Sequence, residues 1–302
     1  MKVIKLTPRG YCKGVVRAIQ LVKDARKSYP GPVYVLGMIV HNSFVTKALT
    51  HLGIETLDTA KASKEELIDS VPHGLLVFTA HGISAQLKQR AIDRGLDVLD
   101  ATCFDVSSTQ QLIANYREKG YEIIFIGKQG HPESEAMKAN DPAIHIVENK
   151  TDIETLNLTH EFIAVTNQTT MSILDVAHLM KEIRQRYPHA VFCEEVCTAT
   201  RVRQEAVLQE TEASVLLIVG DPKSNNSTRL HHINQHISRR YMVESIEGLS
   251  MSWFTPDDVI AISSGASTPT YITNQIIQYL EQYRFDDPGT HQKPSIDLTQ
   301  IL

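Results

Sequence analysis

Three cysteines in similar surroundings divide the chain almost evenly. They lie in Gly-Tyr-Cys12-Lys-Gly-Val, Ala-Thr-Cys103-Phe-Asp-Val and Glu-Val-Cys197-Thr-Ala-Thr, 91 and 94 residues apart. A recurrence at a fixed period means that the chain is assembled from similar units. Each cysteine leads into a helical pattern, over Val15–Lys27, Asp105–Glu118 and Arg201–Glu212. A short apolar β-type run follows and ends at Gly37, Gly127 or Gly220, which are 25, 24 and 23 residues beyond the respective cysteines. Polar loops come next: His41-Asn42, His131-Pro132-Glu133 and Ser224-Asn225-Asn226-Ser227. A second run in each unit ends at His81, Thr169 or Ser267. The order strand, polar loop, helix is the mark of parallel α/β units.

The expected fold is α/β, with three pseudo-symmetric lobes in a trefoil over 13–102, 103–196 and 197–283. Cys12 opens the first lobe, and residues 1–12 are expected to add the strand VIKL to the third. The tail 284–302, with its Asp-Pro-Gly and Lys-Pro turns, is either a wrapping segment or a loose end. No lobe boundary carries a Gly/Ser- or Pro-rich linker, so tight packing around one centre is expected. Composition agrees: 42% hydrophobic and 22% charged residues give enough apolar surface for real cores. A net charge of −5 argues against a protein that coats DNA. No apolar run approaches the ~18 residues of a membrane helix. The start, MKVIKLTPRGYCKG, has no apolar export segment. Four cysteines are too few for a secreted disulfide scaffold. A cytoplasmic enzyme or binding protein remains.

Ligands of open parallel sheets bind beyond the carboxyl ends of the strands. The repeated polar residues all sit at such ends, and three lobes would aim them at one cavity. Single cysteines there can be core residues, the usual fate of a free thiol. Three in register with polar loops instead suggest a soft-metal site. The paired spacing of structural zinc is missing, since Cys193-x3-Cys197 is the only close pair and Cys193 has no counterpart in the other lobes. Widely separated thiolates suit an iron–sulfur cluster, and three of them leave one iron open to act as a Lewis acid. The third-lobe counterparts of His41, His81 and His131 are Asn226 and Ser267, which share hydrogen-bonding ability rather than metal affinity. That favours a phosphate or diphosphate held with helix N-termini. Glu133 is the one carboxylate in these loops. It is either a proton donor with a raised pKa or a helix-start residue behind Pro132. Thr169 and Thr170 either cap a helix over Ile173–Gln185 or face the site.

GYCKGV, GMIVHN, TAHGIS, DATC, GHPE, NQTT, a Ser-Asn-x-Ser loop and GAS-x-P follow one another over almost the whole chain. In this the sequence resembles the 4-hydroxy-3-methylbut-2-enyl diphosphate reductase family of the methylerythritol phosphate route to isoprenoids. The resemblance implies a trefoil around a 4Fe–4S cluster held by Cys12, Cys103 and Cys197, with the fourth iron open. It places the diphosphate on His41, His81, His131, Ser224, Asn225, Asn226 and Ser267. Proton donation falls to Glu133, with His131 beside it, and Thr169 positions the substrate alcohol. A ferredoxin or flavodoxin would supply electrons, and the products would be isopentenyl and dimethylallyl diphosphate.

Four positions depart from the family's usual residues: Phe104 after Cys103, Ser134 after His-Pro-Glu, Thr198 after Cys197, and Asn225 in the anion loop. They leave open a paralogue that carries out non-redox hydration or elimination on another phosphorylated compound. A non-enzymatic iron–sulfur sensor is the third reading. It would need neither Glu133 nor an anion pocket.

Overall fold

The computed structural model describes all 302 residues, Met1–Leu302. After strand β1 (Lys2–Lys5) come α1 (Lys13–Ser28), β2 (Val33–Leu36), α2 (Ser43–His51), β3 (Ile54–Leu57), α3 (Lys64–Ser70), β4 (Leu75–Phe78), α4 (Ala85–Asp93) and β5 (Asp97–Asp100). The middle of the chain gives α5 (Phe104–Glu118), β6 (Glu122–Ile126), α6 (Pro132–Asn140), β7 (His145–Val147), α7 (Lys150–Thr155), β8 (Ile163–Asn167), α8 (Ile173–Arg186) and β9 (Val191–Phe192). The last part gives α9 (Thr198–Leu208), β10 (Val215–Val219), α10 (Asn225–Ile233), β11 (Arg239–Val243), β12 (Val259–Ser264) and α11 (Thr270–Gln282).

The strands form three parallel four-stranded sheets, ordered β3-β2-β4-β5, β7-β6-β8-β9 and β11-β10-β12-β1. Each sheet follows one scheme: the second strand of the repeat, then the first, the third and the fourth. In the last sheet the fourth place is taken by β1, whose Lys2–Lys5 run alongside Val259–Ile262. The repeat extends to single hydrogen bonds. The glycine ending each first strand donates its N–H to the last carbonyl of the second strand: Gly37 to Leu57, Gly127 to Val147 and Gly220 to Val243, at 2.9, 3.0 and 2.8 Å.

Strands β4, β8 and β10 are buried along their whole length, as parallel strands covered on both faces must be. Period-two alternation divides β6 between two cores. Ile123 and Phe125 pack with Ile113 of α5 and Met137 of α6, and Ile124 and Ile126 pack with Val176 and Leu179 of α8. Fully burying a side chain such as Phe125 contributes about 1.5–3 kcal/mol. One helix is shorter than its sequence pattern. The third repeat helix stops at Leu208, not Glu212, because the Glu210 carboxylate accepts the N–H groups of Glu212 and Ala213 and turns the chain. Tertiary contacts group the chain into two compact units. One comprises Met1–Val16, Val40–Leu52 and Thr198–Leu302, and the other Arg17–Ile39 and Gly53–Cys197. No helix is long and apolar enough to cross a membrane.

Candidate active site

The fourth strand of each sheet leads to a cysteine, and the cysteine to a helix. Cys103 is the N-cap of α5, while Cys12 and Cys197 directly precede α1 and α9. Each cysteine N–H donates to a carbonyl in the loop beyond the third strand of its sheet. Cys12 bonds Ala266, Cys103 bonds Ala80 and Cys197 bonds Thr169, all at 3.0 Å. The neighbours of those acceptors, or the acceptors themselves, are Ser267, His81 and Thr169. One backbone hydrogen bond thus ties each cysteine to its repeated polar loop. None of the four cysteines forms a disulfide. Cys12 Sγ accepts from Val15 N at 3.4 Å in the first turn of α1. A helix N-terminus favours the thiolate, the form that binds metal. Cys193 differs: it meets the Tyr116 hydroxyl of α5 at 3.5 Å. No three His, Cys, Asp or Glu side chains gather tightly enough to hold a single ion. A cluster that takes one thiolate per iron does not require such a gathering.

In the unit that contains Gly53–Cys197, four of the expected residues come together. Glu133 is 1% exposed. Its Oε1 accepts Thr169 N at 2.8 Å and its Oε2 accepts the Thr169 hydroxyl at 2.9 Å. Burial raises its pKa to about 7, against the lowering effect of those two bonds, and the Asp105 charge adds a smaller upward push. His131 caps α6: its Nδ1 accepts Glu133 N at 3.2 Å, which in the neutral ring puts the proton on Nε2. The His81 ring stands edge-on to His131, with centroids 5.9 Å apart, and its Nδ1 meets the Thr79 hydroxyl at 3.2 Å.

One sequence expectation needs correction here. Neither Thr169 nor Thr170 caps α8. The helix begins at Ile173, so the capping place falls to Ser172, whose hydroxyl accepts Asp175 N at 3.2 Å. Thr169 is instead committed to Glu133. Glu133 lies in the first turn of α6, behind Pro132, and its carboxylate is buried.

In the other unit, the N-terminus of α10 collects the remaining anion-binding candidates. Ser224 is its N-cap without a capping hydrogen bond of its own. Its hydroxyl meets Ser267 Oγ at 3.1 Å, and Ser267 Oγ donates to the His41 carbonyl at 3.2 Å. Asn225 and Asn226 are buried in the first turn. Asn226 donates one long bond to Thr200 Oγ1 at 3.5 Å, and its buried Oδ1 has no partner. The next residue, Ser227, fits between Gly220 and Gly265, where a methyl at either glycine would collide with its hydroxyl. These glycines let α10 approach the strand ends.

The sequence reading missed several supporting residues. Gln168 accepts Lys128 N at 3.0 Å and donates to Thr170 Oγ1 at 2.8 Å, bracing the loop ahead of Thr169. Asn167 receives Glu195 N at 2.9 Å, two residues ahead of Cys197. Asn42 caps α2, with its Oδ1 accepting Phe44 N and Val45 N. Arg203 reaches Gly10 O at 2.8 Å, beside the Cys12 loop. Asn167 and Gln168 carried a signal as half of the NQTT motif, and Asn42 as the last residue of GMIVHN. The departures from the family's usual residues leave the thiols and Glu133 in place. Phe104 is 78% exposed, and Ser134 is buried with its hydroxyl 3.4 Å from Gln168 Oε1.

A sequence model of the LytB protein family matches residues 3–281. The chain belongs to the LytB family. A relative from Anoxybacillus flavithermus, named 4-hydroxy-3-methylbut-2-enyl diphosphate reductase, is 45% identical, with 100% of this chain and 98% of the relative aligned. One of the same name from Bacillus cytotoxicus is 46% identical over the same shares. The LytB-family fold also recurs in solved structures. The E-1-hydroxy-2-methyl-but-2-enyl-4-diphosphate reductase of Plasmodium falciparum superposes with a TM-score of 0.87 at 29% identity, covering 98% of this chain and 95% of that one. A second structure, of (E)-4-hydroxy-3-methyl-but-2-enyl diphosphate reductase, described as the terminal enzyme of the non-mevalonate pathway, gives 0.68 at 28% identity, covering 94% and 100%.

Proposed function

We propose that this chain is a 4-hydroxy-3-methylbut-2-enyl diphosphate reductase acting in the cytoplasm, organised in three lobes over 13–102, 103–196 and 197–283. The observation that carries the reading is the buried Glu133 carboxyl clasped by Thr169. A carrier or sensor has no use for a dry acid whose pKa lies near neutrality. The reaction consumes two electrons and two protons. The substrate's C–O bond breaks, the hydroxyl leaves as water, and the allylic fragment gains a hydrogen.

Cys12, Cys103 and Cys197 fit an iron–sulfur cluster, being thiols outside any disulfide at three equivalent helix starts. They would hold a 4Fe–4S cluster, which when bound supplies single electrons and Lewis acidity. The protein's own groups do the rest. Ser224, Asn225, Asn226, Ser267, His41, His81 and His131 bind the diphosphate, and the N-terminus of α10 adds its N–H groups. Thr169 orients the alcohol. Glu133 gives its proton to the departing oxygen, and His131 holds Glu133 in place through the α6 cap. Electrons come from a ferredoxin or flavodoxin.

Anaerobic purification, iron and sulfide analysis, and turnover of the hydroxylated diphosphate with a reduced donor test the reading. Brown protein that forms isopentenyl and dimethylallyl diphosphate supports it. Colourless protein, or a loaded cluster with no turnover, overturns it. The anion set has its own test. Asn226→Ala removes a buried amide already short of partners, and should weaken inorganic diphosphate binding roughly ten- to a hundredfold with cluster absorption unchanged. Equal binding by wild type and variant removes Asn226 from the site.

A further inference from the structure

The segment after α11 is ordered by a stripe on that helix. Tyr271, Gln275, Tyr279 and Tyr283 follow one another at four-residue spacing, which places them on one face. The segment runs back along this stripe, antiparallel to the helix. His291 stacks on Tyr283 at 4.4 Å and its carbonyl accepts the Tyr279 hydroxyl at 3.1 Å. The Ser295 carbonyl accepts Gln275 Nε2 at 2.9 Å, and Asp297 N donates to the Tyr271 hydroxyl at 3.3 Å. A single 3₁₀ turn, Leu298–Gln300, capped by Asp297, then lies against α2. Finally the Ile301 carbonyl accepts the Tyr11 hydroxyl at 2.9 Å, with the Ile301 side chain 1% exposed.

The two places this path reaches are not ordinary surface. Tyr11 adjoins Cys12, in a loop also held by Gly10 N on Ser264 Oγ at 2.6 Å and Cys12 N on Ala266 O. Helix α2 starts just after His41 and Asn42. We infer that residues 284–302 are a positioning strap, with Tyr11 as its latch, which fixes the Cys12 loop and the entry to α2. The inference rests on the reading of Cys12 as a cluster ligand. Neither Tyr11 nor Ile301 touches a reacting atom in this account; both act through the loop. A tyrosine is suited to the task. Its ring is half-buried and its hydroxyl reaches a carbonyl 290 residues away in sequence. Phenylalanine would keep the packing and lose only the latch.

The test compares Tyr11→Phe, and a chain shortened to end at Asp297, with the wild type. In cluster-free protein, alkylation of Cys12 by iodoacetamide is followed by peptide mass spectrometry, with Cys103 and Cys197 as internal references. Loss of one hydrogen bond should raise the Cys12 rate roughly three- to tenfold and leave the other two unchanged. In loaded protein the same variants should lose cluster absorption to a chelator faster by a similar factor. If the Cys12 rate in Tyr11→Phe stays at the wild-type value, or if all three cysteines accelerate together, the strap is not a positioning device for this loop. Tyr11→Phe decides the matter even if the shortened chain fails to fold. If the protein takes up no iron, the cluster assignment fails while the alkylation contrast can still be read.

Discussion

Glutamine at position 133 is expected to lower turnover by about 10²–10⁴-fold, the range for a positioned general acid. Glu133→Gln keeps the size of the side chain and a hydrogen-bond donor but removes the transferable proton. Cluster content and substrate binding should survive, because neither depends on that proton. Glu133→Asp should retain more activity than Glu133→Gln, since a shorter acid still acts directly or through a water. The pH profile adds a second measure. Only the protonated carboxyl donates, and the pKa of Glu133 lies at about 7. The wild-type rate should therefore fall as pH rises through that value, towards tenfold per unit, and this descending limb should vanish in Glu133→Gln. A helix-start role alone predicts a loss of at most about 1 kcal/mol of stability and little change in rate. Near-normal turnover in the glutamine variant, measured beside its thermal stability, would sink the catalytic assignment.

Serine at Cys12, Cys103 or Cys197 should abolish the brown chromophore or leave it very labile. An alkoxide is a far poorer ligand for iron than a thiolate at neutral pH, and three protein ligands leave no spare. Serine at Cys193 should leave the chromophore largely intact, because that thiol meets Tyr116 and a hydroxyl can take over the contact. Iron and sulfide per chain, together with the visible spectrum of the four anaerobically prepared variants, give the answer. Retention of the cluster in Cys103→Ser, with loss in Cys193→Ser, would reassign the ligands.

The threefold register of cysteines, glycines and polar loops was legible because each is a local event at a strand end. The parallel sheets followed from the same pattern, since short apolar runs alternating with helices have few other ways to be covered. Thr169 was harder to read. Its neighbours suggested a cap, and only the tertiary approach of α6 shows that its hydroxyl serves Glu133. The course of residues 284–302 was hidden for a similar reason. The Tyr271–Tyr283 stripe is visible in the sequence, but what covers it is a segment of turns with no periodicity of its own. A supporting polar residue such as Arg203 acts through a backbone atom distant in sequence, the Gly10 carbonyl. Single-chain patterns do not record such partners.

The place of β1 has a consequence for the order in which the molecule can be made. Residues 2–5 are synthesised long before their partner strand, residues 259–262. Until then the first strand has no ladder to join, and the Cys12 loop has no Ala266 carbonyl to receive its amide. Pairing at that separation makes the third sheet a late, high-contact-order closure, while the sheet of β6–β9 is complete within its own stretch of chain. Nascent chains that stop short of β12 can thus shape the two earlier sheets but not the setting of Cys12. On the proposed assignment of Cys12 as a ligand, cofactor loading at that thiol waits until β12 has been made, and a permutant that moved residues 1–12 to follow α11 would let the third sheet close as locally as the other two.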